Sequence, residues 1–424
     1  MSSFHSADSS PNLYDEIQEM GDVSFLIYYL GYIKAASRKA KEENIEFKGM
    51  DVGENGMTMK EGVISSSELS KTYTPSEIKT IIADNLEYLQ QLFPNEFNGD
   101  GLEQTYLSID ELEKGRIKEK VDLSTGKKAV WRPYTIEEFD DTFQDVEPVY
   151  SVVKDTYHKR IVLVFRGTEG HLGAASSNWL ANLNAVVHNE KPPLAVQEID
   201  DEKIGLHKGY YKYLFDKTAD EKDEESRTKF EQIVEDIMLL LKKYPGFRLH
   251  VTGHSLGGAL ATMCSFFLAC EESIPTPVTC ISFAAPRVGT RSFLNACQYL
   301  ERTSQLRMLR VMNHQDTVAV IPILNYVHVG FQVRLYKDDT IPDLLYPNLK
   351  NDWKKWLQIS WDNSIIASLN LGYDHIDYRQ RLDQPKTKAF LESLPNIASL
   401  YTDKDLVGFE LVRLGVRFTP ATKF

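Results

Sequence analysis

The stretch Arg248-Leu249-His250-Val251-Thr252-Gly253-His254-Ser255-Leu256-Gly257-Gly258-Ala259 opens as a strand over Arg248 to Thr252 and closes as the start of a small-residue helix, Gly258 to Leu268. A strand that passes directly into a helix must turn sharply, and Gly253 and Gly257, two residues to either side of Ser255, let the backbone crowd there without Cβ clashes. A G-x-S-x-G turn of this kind lifts the serine Oγ out of the sheet. The helix behind it aims its N-terminal dipole at the place where negative charge would develop on a reacting group. Ser255 is therefore read as a nucleophile on a strand–elbow–helix junction.

Outward from this point the chain alternates. Upstream, Phe230, Ile233, Val234, Ile237, Leu240 and Leu241 recur at helical spacing, and Tyr244-Pro245-Gly246 stops that helix before the strand. Further upstream, Val149 to Val153 and Ile161 to Phe165 are β-branched runs separated by the polar turn Lys154 to Arg160, a hairpin pattern. Downstream, Val278 to Phe283 and Leu306 to Met312 read as buried strands, each preceded by a helix-like segment. The expectation is an α/β fold built from βαβ units, with a mainly parallel central sheet flanked by helices. The domain begins near residue 141 and runs to 424, and residues 1–140, rich in charge and helix formers, read as a mostly helical N-terminal extension or cap.

A serine hydroxyl is a weak nucleophile until a neighbouring base takes its proton, and that base needs an orienting carboxylate. In a fold with this elbow the partners follow in the order serine, acid, histidine, each on a loop after a strand. The strand Leu306 to Met312 leads into Asn313-His314-Gln315-Asp316, so Asp316 is the acid. Two histidines remain beyond it. His328 falls inside the alternating run Tyr326 to Tyr336, where a structural role is expected, whereas His375 lies in the polar segment Gly372-Tyr373-Asp374-His375. His375 is the base. His254 is expected to point away from Ser255, and His207 and His314 read as packing or hydrogen-bonding residues.

Composition bounds the partners. The 424 residues carry a formal charge of −13, with 42% apolar and 26% charged residues, which is ordinary for a globular chain and gives no positive field for nucleic acid. Val23 to Ile33 is too short for a membrane span. The N-terminus lacks a secretory pattern, so a cytoplasmic protein is expected, with possible peripheral residence on lipid droplets or membranes. The four cysteines, Cys264, Cys270, Cys280 and Cys297, read as buried free thiols. No metal-ligand spacing occurs, and Asp51 to Gly62 lacks the third and last acidic ligands of a calcium loop. Metal and cofactor are both expected to be absent.

Several blocks together resemble the class 3 lipases, the fungal triacylglycerol lipase-like family of the α/β-hydrolase superfamily. The nucleophile block Val251 to Ala259 is one, and Phe283-Ala284-Ala285-Pro286-Arg287-Val288-Gly289 another. Asn313 to Pro322 is similar to the family's aspartate loop, His328-Val329-Gly330 to its structural histidine, and Asp374-His375 with Tyr378 to its catalytic histidine. Val164-Phe165-Arg166-Gly167-Thr168 resembles the strand that carries the oxyanion residue, which implies Thr168 and the Leu256 N–H as oxyanion donors. Asn178 to Leu183 is similar to the lid region, with Glu169 to Asn178 as the lid itself, and His207-Lys208-Gly209-Tyr210 to a further family block. Ala319 departs from the pattern where proline is frequent, and Asn182 where aspartate is.

The resemblance implies a serine carboxylic ester hydrolase that cleaves fatty-acyl esters of acylglycerols or related lipids through an acyl-enzyme on Ser255, with no cofactor. Two other readings stand beside it: a phospholipase or galactolipase of the same fold, and a non-catalytic lipase-like interaction protein. Trp353-Lys354-Lys355-Trp356-Leu357 and Trp361 fit either core packing or a seat on a lipid surface.

Overall fold

The computed structural model describes residues 11–48, 81–82, 84–92, 120–121, 128–129, 134–140, 150–156, 158–167, 186–199, 201–217, 227–316, 318–322, 325–346, 375 and 378–402. Eight strands form its main sheet: β1 (Tyr134–Asp140), β2 (Tyr150–Asp155), β3 (Arg160–Phe165), β4 (Arg248–His254), β5 (Val278–Phe283), β6 (Leu306–Asn313), β7 (Phe331–Leu335) and β8 (Asp343–Leu345). They lie side by side in chain order. Pairings from β3 through β7 are parallel, while β1–β2, β2–β3 and β7–β8 are antiparallel. The expected hairpin is β2–β3, and the expected mainly parallel sheet is present.

Helices fill the crossovers. Between β3 and β4 run α3 (Lys208–Phe215) and α4 (Lys229–Lys243); α5 (Leu256–Cys270) joins β4 to β5, and α6 (Arg291–Arg302) joins β5 to β6. The start of α4 is fixed by a capping box in which Thr228 and Glu231 satisfy each other's backbone N–H groups. Elsewhere are α1 (Leu13–Glu43), α2 (Leu86–Leu92), and the closing helices α7 (Tyr378–Leu382), α8 (Pro385–Glu392) and α9 (Ile397–Thr402).

Strand pleating divides the core in two. Val152, Ile161, Leu163, Phe165, Val251, Cys280 and Met308 face the crossover helices and pack with Ile237, Leu260 and Leu294. Val153, Val162, Val164, Ile281, Phe283, Leu309 and Val333 face the other side, against Ile17, Met20, Phe25 and Ile27 of α1 and Leu382, Leu391 and Leu400 of α7 to α9. This follows from the topology. Right-handed crossovers that step through a sheet in one direction all fall on one face, so the opposite face must be covered by segments from before and after the alternating region.

The apolar run Val23 to Ile33 is thus the core-facing middle of α1, and no helix among the described residues is long and apolar enough to cross a membrane. Polar bonds fix the docking. Ser24 Oγ lies 2.7 Å from Thr252 Oγ1 on β4. Asp22 pairs with Arg379 at 2.7 Å, Tyr14 donates to Asp383 at 2.6 Å, and Glu16 accepts the Ile397 N–H at 2.6 Å. Glu19 meets Arg160, which also holds Asp155 at 2.7 Å. The boundary read near residue 140 falls at the end of β1, and in their described part the first 140 residues supply that strand to the sheet and α1 to the core.

Other expectations can be placed as well. The four cysteines are free, three of them buried and Cys270 half-buried. The alternating run Tyr326 to Tyr336 is a strand only over Phe331–Leu335, with His328 in the approach to it. The segment Asp51 to Gly62 lies outside the described residues.

Two stability outcomes are expected. Phe25 is 2% exposed on the sheet-facing side of α1, so Phe25→Ala should lower the unfolding free energy in urea by about 3–5 kcal/mol. Leu239→Ala, on the outer face of α4 at 61% exposed, should change it by less than about 0.5 kcal/mol; equal effects would deny α1 its place in the core. Glu301 is buried and accepts hydroxyls from Tyr401, at 2.8 Å, and Tyr346, and burial pushes its carboxyl up to about 7. The folded state then holds a proton that the unfolded chain has released, so this group's contribution declines as pH rises from about 4.5 to about 7, by up to ~3 kcal/mol. Melting temperatures at pH 5.5 and pH 8 should therefore lie closer together in Glu301→Gln than in the wild type.

Candidate active site

Strand β4 ends at His254 and α5 begins at Leu256, leaving Ser255 alone at the junction with φ 59° and ψ −126°. A non-glycine residue is strained there, and neighbouring bonds hold it: the Ser255 N–H donates to Phe283 O at 2.9 Å, and the Ala259 N–H to Ser255 O at 3.2 Å. The flanking glycines are required by close approach. A Cβ on Gly257 would sit 2.2 Å from Phe165 O, and one on Gly253 2.4 Å from Gly257 O. The end of β3 therefore presses directly against the elbow. Gly167, just beyond β3, is near enough that an added Cβ would lie 3.2 Å from Ser255 Cβ, so the exit of β3 lies alongside the serine. Leu256 is the first residue of α5, at the helix's positive end.

Asp316 sits in the turn after β6, 1% exposed. Its Oδ1 accepts the Val318 N–H at 3.0 Å and the Ala319 N–H at 3.4 Å, and its Oδ2 accepts the Tyr378 hydroxyl at 2.9 Å. That hydroxyl in turn accepts the Asn313 N–H at 3.2 Å, so the tyrosine ties α7 to the end of β6. His375 Nδ1 stands 3.0 and 3.1 Å from the two carboxylate oxygens. A carboxylate accepts only, so Nδ1 carries the proton and Nε2 is left as a base. Asp316 and His375 are thus brought together, and both are buried.

The link between His375 and the elbow runs through His254. Its Nε2 is 2.8 Å from the His375 carbonyl oxygen, which makes Nε2 the donor and leaves Nδ1 to accept from the Tyr28 hydroxyl at 3.3 Å. Its ring lies 4.6 Å from the His375 ring, 4.7 Å from Phe25 and 5.9 Å from Tyr378. Burial, reinforced by the adjacent His375, drives the His254 imidazole well below its usual range and keeps it neutral. The expectation that His254 turns away from the reactive hydroxyl fits this arrangement; its service as a strut beneath His375, and the share of Tyr28 and Phe25 in that strut, were not legible in the sequence.

His207 is buried and stacked on Tyr210 at 4.0 Å, where burial alone lowers it to about 4. His314 packs 5.0 Å from Tyr336. Both are packing residues here. Glu19, Asp155 and His158 bring possible metal-ligand atoms together, but the Arg160 guanidinium already bonds both carboxylates, so the group is an ion-pair network. Thr168, the lid Glu169 to Asn178, the block to Leu183, the segment Gly372 to Asp374, and Trp353, Trp356 and Trp361 lie outside the described residues.

A family model for class 3 lipases matches residues 162–326, which contain most of β3, all of β4 to β6, the elbow and Asp316. Among curated relatives, phospholipase A1-II 2 of Oryza sativa subsp. indica is 30% identical over 186 residues, covering 41% of this chain and 44% of that protein. The chloroplastic galactolipase DONGLE of Arabidopsis thaliana is 28% identical, over 40% of this chain and 35% of its own length. The chain therefore matches less than half of each. A solved Rhizomucor miehei lipase–propeptide complex aligns at 22% identity and TM-score 0.42, covering 59% of this chain and 68% of that one. With its mainly parallel sheet and strand–serine–helix elbow, the chain has an α/β-hydrolase fold, and residues 162–326 match the class 3 lipase family model.

Proposed function

We propose that this chain is a serine carboxylic ester hydrolase acting on the fatty-acyl esters of lipids. The observation that carries the reading is the buried Asp316–His375 pair, bonded through His254 to the strand end that carries Ser255 in a strained elbow. Ser255 Oγ attacks the acyl carbonyl as its proton passes to His375 Nε2, and Asp316 keeps the imidazole in the tautomer that can receive it. The tetrahedral oxyanion is met by the Leu256 N–H at the head of α5 and by Thr168. Collapse expels the alcohol portion of the lipid, which takes the proton from His375. Water then attacks the acyl-enzyme by the same route in reverse, releasing the fatty acid and restoring the serine.

A polar glycerolipid, phospholipid or galactolipid, is the second reading, favoured by the activities in the names of the two curated relatives. The four free thiols suit a reducing compartment such as the cytosol.

A panel of triacylglycerol, diacylglycerol, phosphatidylcholine, galactolipid and short p-nitrophenyl esters, assayed with wild type and Ser255→Ala, tests both readings. Wild type should release fatty acid from at least one lipid and form a covalent adduct with a serine-reactive phosphonate; Ser255→Ala should do neither. Unlabelled wild type with no turnover on any ester would leave a lipase-like interaction protein. Tyr378→Phe removes a hydrogen bond to a buried carboxylate, worth about 1.5–3 kcal/mol. It should lower kcat about 10- to 100-fold with KM nearly unchanged, and unchanged kcat would show that the backbone N–H groups suffice to hold Asp316.

A further inference from the structure

Arg310 is a buried cation with no counter-charge among the described residues. It lies in the middle of β6 on the face covered by the crossover helices, in register with Ser282 on β5 and Gln332 on β7. One guanidinium nitrogen, Nη2, donates to Gln332 Oε1. Its Nε and Nη1 are buried and have no hydrogen-bond partner, and among the described residues no carboxylate pairs with it. The surroundings add positive charge. Arg334, two residues along β7 from Gln332, reaches Asp343 only at 4.0 Å and leaves its own Nε and Nη2 without partners. Arg287, after β5, donates Nη1 to Pro322 O at 3.0 Å. Burial and these two neighbours oppose the charge on Arg310, yet a guanidinium does not give up its proton in a protein. An unpaired buried cation costs several kcal/mol unless something compensates it.

A cavity opens at this point. Thr262 of α5, Cys280 and Ser282 of β5, Met308 and Arg310 of β6, and His328 from the approach to β7 line it. The His328 Nε2 is likewise buried without a partner. The space admits one guest of about the size of a water molecule. A water would accept two of the orphaned N–H groups and leave the charge uncompensated. A monatomic anion satisfies both needs, whereas phosphate, sulfate or a carboxylate exceeds the space.

We propose that this cavity is a binding site for a halide-sized anion, chloride in physiological solution, held by Arg310 Nε and Nη1 with His328 beside it. The site lies on the other side of the sheet from α1 and is separate from Ser255 and His375, so the proposal stands whether or not the chain hydrolyses lipid esters. Its location gives the ion a structural consequence: it ties β6, which delivers Asp316, to β5 and to the segment that enters β7.

The full chain, freed of halide by dialysis into sodium gluconate, tests it. Chloride added at constant ionic strength should broaden the ³⁵Cl resonance beyond free solution and raise the melting temperature along a saturating curve, with bromide displacing the chloride. Both responses should vanish in Arg310→Gln. In crystals soaked with bromide, an anomalous peak should stand within hydrogen-bond distance of Arg310 Nε or Nη1. The proposal is overturned if wild type shows no saturable response, if the response persists in Arg310→Gln, or if the cavity shows no bromide peak while the surface does. The wild-type titration and the bromide crystal decide the matter even where Arg310→Gln does not fold.

Discussion

The whole molecule depends on covering the second face of the sheet. Strands in chain order with crossovers of one hand leave α3 to α6 on one side and a bare apolar surface of Val162, Val164, Ile281, Phe283 and Leu309 on the other. That surface is hidden by α1 from the start of the chain and by α7 to α9 from its end. Every feature of the candidate site on that side, from the His254 ring to the Tyr378 hydroxyl, exists because these two segments meet over the carboxyl ends of β4 to β6.

His254 shows how the cover reaches the chemistry. Sequence position puts it one residue before the serine, and its side chain lies among Phe25, Tyr28 and Tyr378 on the face covered by α1. There it bonds the His375 carbonyl with one nitrogen and receives the Tyr28 hydroxyl with the other. Kept neutral by burial, it serves as a two-ended spacer between α1 and the segment carrying His375. The imidazole proposed as base is therefore anchored twice, through its ring by Asp316 and through its backbone by His254.

Much of this was legible from residues alone. Val278–Phe283 is a strand with the bounds its β-branched run suggests, and β6 runs one residue beyond the expected Met312. Asp316 and His375 were paired from chain order, and they lie within hydrogen-bond distance. What escaped was long-range. The charge-rich texture of the first 140 residues conceals that α1 is buried around most of its circumference, because an apolar helix names no partner until the topology leaves a face open. The Tyr326 to Tyr336 alternation overstated the strand because turn residues before Phe331 can alternate in polarity without pairing. The buried guanidinium of Arg310 was equally silent, since in a strand pattern an arginine reads as solvent-facing.

The closure of the second face also sets an order of events. Glu16 binds the Ile397 N–H, and Leu13 donates to Leu394 O, contacts that span nearly the entire described chain. Pairings so distant in sequence form late, after the central strands have collapsed. A ribosome emitting this chain would thus hold out an early apolar helix with no complete seat until α7 to α9 emerge, and the bonds around Asp316 and His254 would close only then. On this geometry, the two anchors of His375 come together only when α7 has joined α1 over the sheet.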